Sequence, residues 1–158
     1  MPSFMIEKTI AQILTKKKMT LSVAESCTGG LISDSLTNIP GSSKFFICGI
    51  IAYSNDTKIK LLGISPDIIR DHGAVSKETA LALSENVKRI AHADIGIGVT
   101  GIAGPGGATP LKPIGVVFIS VCLSRHCYFK KFNFSGTRTK IKRLAKDAAL
   151  RMLKECLS

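Results

Sequence analysis

Tryptophan is absent from the chain, and its aromatic content rests on seven phenylalanines and two tyrosines. So small a supply gives little material for a platform on which nucleic-acid bases stack. The five cysteines are odd in number and form no CxxC, which argues against a secreted disulfide framework and for a reducing cytoplasm. Long apolar runs are also missing. The longest, "FFICGIIAY" from Phe45, is too short to cross a bilayer, so no membrane partner is expected. The N-terminal "MPSFMIEKTIAQIL" carries charge among its apolar positions and has no continuous signal-peptide core. Acids are scarce: 11 Asp and Glu against 22 Lys and Arg leave a net charge of +11, a balance that suits anionic partners. The excess is concentrated late. From Phe129 onward nine basic residues meet only Asp147 and Glu155.

What is present is enough for a packed core. At 158 residues and 45% apolar content the chain is expected to form a single domain over 1–158. Ile6, Ile10, Ile13 and Leu14 recur at helical spacing before the basic turn Lys16 to Lys18. "MTLSVA" reads as a short strand, and a second helix follows Gly30 and stops at Pro40 and Gly41. "FFICGIIAYS", almost wholly apolar, predicts a strand buried on both faces in the middle of a sheet. Ser76 starts a helix carrying Ala80, Leu83, Val87 and Ile90 inward, and "ADIGIGVTG" follows as a glycine-rich strand. "GVVFISVCL" and "CYFKKFNF" predict a hairpin, and a last helix runs from about Thr137 to Cys156. Alternating helices and strands favour an α/β/α sandwich on a mixed, mostly parallel sheet of about five strands, with the late hairpin supplying one antiparallel pair.

Three clusters are candidates for chemistry. Gly96, Gly98 and Gly101 spell GxGxxG, but they lie within a strand, no helix can open at Pro105 to Gly107, and no acid follows at the spacing a dinucleotide site uses. No GK[ST] closes the run as a Walker loop would require. What remains is a strand whose backbone must come close to something, either another chain segment or a ligand phosphate. The histidines His72, His92 and His126 are scattered, and Cys122, His126 and Cys127 match no common zinc spacing, so no metal is expected. The third cluster is "VAESCTGG". A strand, a turn and two glycines before a helix set Ser26 or Cys27 near free backbone N–H groups and a positive helix end. Cys27 is the stronger nucleophile if its pKa is lowered, whereas Ser26 needs a base. With no SxxK in the chain, that base must arrive through the fold. "AYSNDTK" offers Tyr53 and Lys58, for which the residues alone favour a core-edge aromatic and a solvated lysine.

Taken together, "AESCTGG", "GSSKFF.CGIIAYSNDTK", "GAVSKETA", "ADIGIGVTGIAGPGG", "KPIGVVFISV" and "SGTRTKIKRLA" cover almost the whole chain and resemble, in order, the CinA C-terminal domain family. Enzymatic members of that family are nicotinamide mononucleotide deamidases. The resemblance implies hydrolysis of the carboxamide of nicotinamide mononucleotide to nicotinate mononucleotide and ammonia, in pyridine nucleotide recycling, with no cofactor. It places the nucleophile on Ser26 with Tyr53 and Lys58 as partners. It extends the substrate contacts to Glu25, Thr28, Gly29, Gly30, Asn55, Thr100, Gly101, Gly104, Arg138 and Arg143. Within that set, Thr28 to Gly30 form the oxyanion and helix-start element and Glu25 an orienting or structural group. Where the family often has an acid before the first arginine, this chain has Thr137. Larger members carry a further N-terminal domain, which is expected to be absent here. A homodimer or higher homo-oligomer is compatible with so small a domain. Two other readings stand beside this one: a non-catalytic nucleic-acid or protein-binding domain using the basic last helix, and an amidase for a different small nucleotide. Nucleic acid is not the expected partner.

Overall fold

The order of small and large residues along three strands decides how the layers stack. A computed structural model describes residues 3–158, with side chains from residue 5 onward; Met1 and Pro2 of the N-terminal reading lie outside the described residues. The elements run α1 (Ser3–Lys17), β1 (Leu21–Glu25), α2 (Leu31–Thr37), a 3-10 turn (Ser42–Lys44), β2 (Phe46–Ile51), α3 (Asn55–Lys60) and α4 (Pro66–His72). They continue with α5 (Lys77–Ile90), β3 (Ile95–Gly101), β4 (Val116–Leu123), β5 (His126–Asn133) and α6 (Arg138–Leu157). Among the described residues the strands form one sheet in the order β2-β1-β3-β4-β5.

β1 pairs in parallel with β2 and β3, while β4 is antiparallel to both β3 and β5. Four strands therefore share one direction and β4 alone opposes them. This is the one antiparallel strand expected of the late hairpin, and because β4 lies between β3 and β5 it makes two antiparallel pairs. A two-residue turn, Ser124 and Arg125, joins β4 to β5, with Ser124 at φ 56. In that register Cys122 faces Cys127, and the two are disulfide-bonded. No framework pattern marks this pair among the five cysteines, because one cross-strand bridge depends on hairpin register, which cysteine counting does not see.

Alternation along the strands sorts the layers. Leu21, Val23, Ile95, Ile97, Ile119 and Val121 pack with α1, α2 and α6 in the larger core. The opposite face carries α3, α4 and α5, and there Ala24 meets Leu83, Val87, Leu62 and Ile64. Ser22, Gly96, Gly98 and Ser120 leave that face almost without side chains, so α5 lies close against the sheet. A Cβ at Gly96 would stand 2.0 Å from the Ser84 carbonyl oxygen, and one at Gly98 would stand 2.5 Å from that of Ala80. The GxGxxG spacing is thus a helix seat: the close neighbour of this backbone is α5.

The placement of β2 corrects an expectation. It is an edge strand, with Ile47 and Ile51 about half exposed at 48% and 51%. Apolar composition reports how much a strand can bury, but the number of neighbours it finds is decided by connection order. Among the described residues no helix is long and apolar enough to cross a membrane.

Candidate active site

Ser26 is the first residue after β1, and its N–H extends the sheet ladder by donating to the Val99 carbonyl at 3.1 Å. It sits at the carboxyl end of parallel strands, where α/β sheets open their crevices. Glu25, fully buried, holds the turn that follows. Its Oε2 accepts from the N–H groups of Gly30 (3.0 Å) and Ile32 (3.2 Å), and its Oε1 accepts from the N–H and hydroxyl of Ser33, both at 2.8 Å. Gly30 occupies the cap position of α2 at φ 103 and has no side chain to cap with, so a carboxylate five residues earlier does that work.

This arrangement revises three expected substrate contacts. The acceptor capacity of Glu25 is taken up by α2, which makes it a cap. The N–H of Gly30 points to Glu25, and that of Gly29 closes the turn onto the Ser26 carbonyl at 3.1 Å. Neither glycine N–H is left to meet an oxyanion. Among the described residues the N–H groups of Cys27 and Thr28 reach no acceptor on another residue, and buried Thr28 Oγ1 has no partner. Of the expected oxyanion element, only Thr28 keeps its donor.

Lys58 lies on α3, whose N-cap Ser54 accepts from the Thr57 N–H. With only 1% of its surface exposed, it is far from the solvated lysine that its sequence neighbourhood favours. Its Nζ lies 3.1 Å from Ser26 Oγ, 2.8 Å from the Ala52 carbonyl and 3.1 Å from the Tyr53 carbonyl. Burial pulls the Lys58 pKa below the usual lysine range, because an ammonium loses its hydration here. Burial acts on Cys27 in the opposite sense. Its thiol is pushed up to about 12, so it stays protonated and a poor nucleophile.

Tyr53 is exposed, and its hydroxyl accepts from Arg138 Nη2 at 2.8 Å. Only its backbone carbonyl touches Lys58. Arg138, the first residue of α6, also donates through Nη1 to the Gly104 carbonyl at 2.6 Å. It therefore ties the segment after β2 to the loop after β3. Thr100, at the end of β3, donates its hydroxyl to the Ala74 carbonyl at 2.7 Å and draws the α4–α5 connection toward the site.

Ser26, Lys58, Tyr53, Asn55, Thr100, Gly101, Gly104 and Arg138 line one cavity of about 290 Å³, with Ala74 and Val75 on the α4–α5 side. No acidic side chain among the described residues lines it. Arg143 is not brought there. It opens into a separate recess with Glu7, Asp34 and Lys146, because five residues along a helix turn a side chain roughly 140° away from Arg138. Sequence reasoning missed the two carbonyls that grip Lys58 and the bond between Arg138 and Tyr53. It also missed the role of Ala74 and Val75, although the word "GAVS" marked the segment.

The family model described as CinA C-terminal domain matches residues 4–157. A CinA-like protein of Syntrophus aciditrophicus is 47% identical over 154 residues, covering 97% of this chain and 37% of that protein. The chain thus spans little more than a third of the length of the curated relatives it matches. Among solved structures, a competence/damage inducible protein of Agrobacterium tumefaciens superposes with TM-score 0.96 at 34% identity, covering 99% of this chain and 96% of that one. A CinA superfamily protein of Escherichia coli superposes with TM-score 0.93 at 28% identity, covering 99% and 92%.

Proposed function

Since the chain belongs to the CinA C-terminal domain family, we propose that it is an amidohydrolase that converts nicotinamide mononucleotide and water to nicotinate mononucleotide and ammonia. The observation that carries this reading is the buried contact between Lys58 Nζ and Ser26 Oγ. A neutral amine has two hydrogens and one lone pair. With the hydrogens on the Ala52 and Tyr53 carbonyls, the lone pair is left for the Ser26 hydroxyl proton.

In this mechanism Ser26 Oγ attacks the carboxamide carbon as its proton passes to Lys58. The tetrahedral oxyanion is met by the N–H groups of Cys27 and Thr28, the two donors of the turn that reach no other residue. Lys58 then returns the proton to the departing nitrogen, the C–N bond breaks, and ammonia leaves an ester on Ser26. Water, deprotonated by Lys58, attacks that ester and releases the carboxylate and the Ser26 hydroxyl. Thr100 has committed its hydrogen to Ala74, so its oxygen is available to accept from the carboxamide N–H. Arg138 and the loop around Gly104 hold the 5′-phosphate, in keeping with a cavity that no acid lines. A cytoplasmic role in recycling pyridine nucleotides follows from that substrate.

The deciding assay is release of ammonia and nicotinate mononucleotide. Wild type and Cys27→Ala are expected to turn over and Ser26→Ala to be inactive; an active Ser26→Ala variant would overturn the assignment.

A further inference from the structure

β2 ends the sheet on one side, and its outer hydrogen-bonding edge is open. The Ala52 N–H donates to the Glu25 carbonyl of β1, so the alternation of a strand turns the N–H and C=O groups of Gly49 and Ile51 away from the sheet. Among the described residues no strand lies beyond them. Open edges are ordinarily blunted by charge or proline. β5, at the other side, follows that rule with Lys130 and Lys131 near its centre, whereas "FICGII" has neither device. The one irregularity in its register with β1 lies at its start, between Leu21 and Ser22. Along the strand Ile47, Gly49 and Ile51 are exposed, while Phe46, Cys48 and Ile50 are half-buried.

We propose that β2 is the docking edge for a second copy of this chain, the two strands pairing antiparallel about a two-fold axis at Gly49 so that two sheets become one. The register is self-complementary: Gly49 meets Gly49, and Ile51 of each copy meets Ile47 of the other on a single face. Between those isoleucines Ser33 takes the room of a side chain, since a Cβ on Gly49 would stand 2.2 Å from Ser33 Oγ. Charge favours the same partner. Lys44 and Asp56 are the only charged residues within five positions of either strand end, and antiparallel alignment brings the Lys44 end of one copy to the Asp56 end of the other. Asp56 otherwise pairs with Lys60 in an exposed contact of little strength. Self-pairing of β5 would instead gather four lysines, so the second copy belongs at β2. The pairing rests on the strand alone and not on the deamidase reading.

Sedimentation equilibrium on the full chain reads the assembly. Wild type is expected to dimerise in the micromolar range, and Ile47→Lys and Ile51→Glu each to weaken the dimer by about 100-fold or more, because the axis repeats every substitution. Mixing the two variants restores it, since the new ammonium and carboxylate then face each other across the axis while the remaining isoleucines meet. Recovery on mixing also shows that both variants fold. Tyr128→Lys on β5 leaves the dimer unchanged. A wild type that stays monomeric through the micromolar range, dimers that survive both substitutions, a mixture that does not recombine, or loss through Tyr128→Lys instead each overturn the proposal.

Discussion

Tyr53 and Arg138 are joined at 2.8 Å, the guanidinium donating to the phenol oxygen. That bond places the Tyr53 hydroxyl on the arginine side of the cavity, while Ser26 Oγ is met by Lys58 at 3.1 Å. The two residues that the family resemblance offers as partners of the serine are thereby separated by task. In the proposed mechanism Lys58 handles the proton, and Tyr53 orients the cation assigned to the substrate's anion.

Tyr53→Phe is the direct check on that division. Loss of one exposed hydrogen bond to Arg138 should raise KM for nicotinamide mononucleotide by up to about 10-fold and leave kcat within a few-fold. A fall in kcat of about 100-fold or more, with KM unchanged, would instead give the phenol a proton-transfer role.

Lys58→Met should lower kcat by about two to four orders of magnitude, and Lys58→Arg should do no better, because a guanidinium does not surrender its proton. The proposed mechanism needs the neutral amine, so wild-type kcat/KM should rise with pH through a value below the usual lysine range. Stability carries the same signature. Folded Lys58 binds protons less tightly than the unfolded residue, so between the two pKa values the unfolded chain is the more protonated. The unfolding free energy of wild type minus that of Lys58→Met should therefore grow as pH rises through that window. Urea titrations at several pH values read it directly.

Glu25→Ala removes the acceptor for three N–H groups and one hydroxyl at a buried helix start. The expected cost is about 2–4 kcal/mol in urea unfolding, above an ordinary cap because the donors have no water to turn to. Activity should fall with it, since the same turn carries Ser26. Unchanged stability would mean that Glu25 is free for substrate after all.

Gly98→Ala tests the seat of α5. Its Cβ would meet the Ala80 oxygen at 2.5 Å and the Ser84 nitrogen at 2.6 Å, both backbone atoms that move only with the helix. A loss of about 1–3 kcal/mol or more is expected, measured by thermal or urea unfolding. Tolerance of the substitution together with dinucleotide binding would revive the reading that strand context argued against.

Local features were legible in the sequence because their causes are local. Ser76 and Thr137 cap α5 and α6 where hydroxyls precede apolar periodicity, and each accepts from the N–H three residues on. The β4–β5 hairpin follows from two strand-like runs around two residues. The turn after β1 announces itself through two glycines, both at positive φ, where other residues are strained.

The tertiary structure decided everything that depends on which distant segments meet. Composition made β2 a central strand, but connection order put it at an edge. The strand glycines left open a phosphate or a chain neighbour, and the answer was the backbone of α5. Arg138 and Arg143 look equivalent as letters, yet helical rotation sends only the first into the cavity. In "ESCTGG" the residues left serine and cysteine both open. What separates them is burial without a base for Cys27, and for Ser26 a lysine 32 residues away that the fold desolvates and brings within 3.1 Å. A pKa is a property of surroundings, and surroundings exist only once the chain has folded.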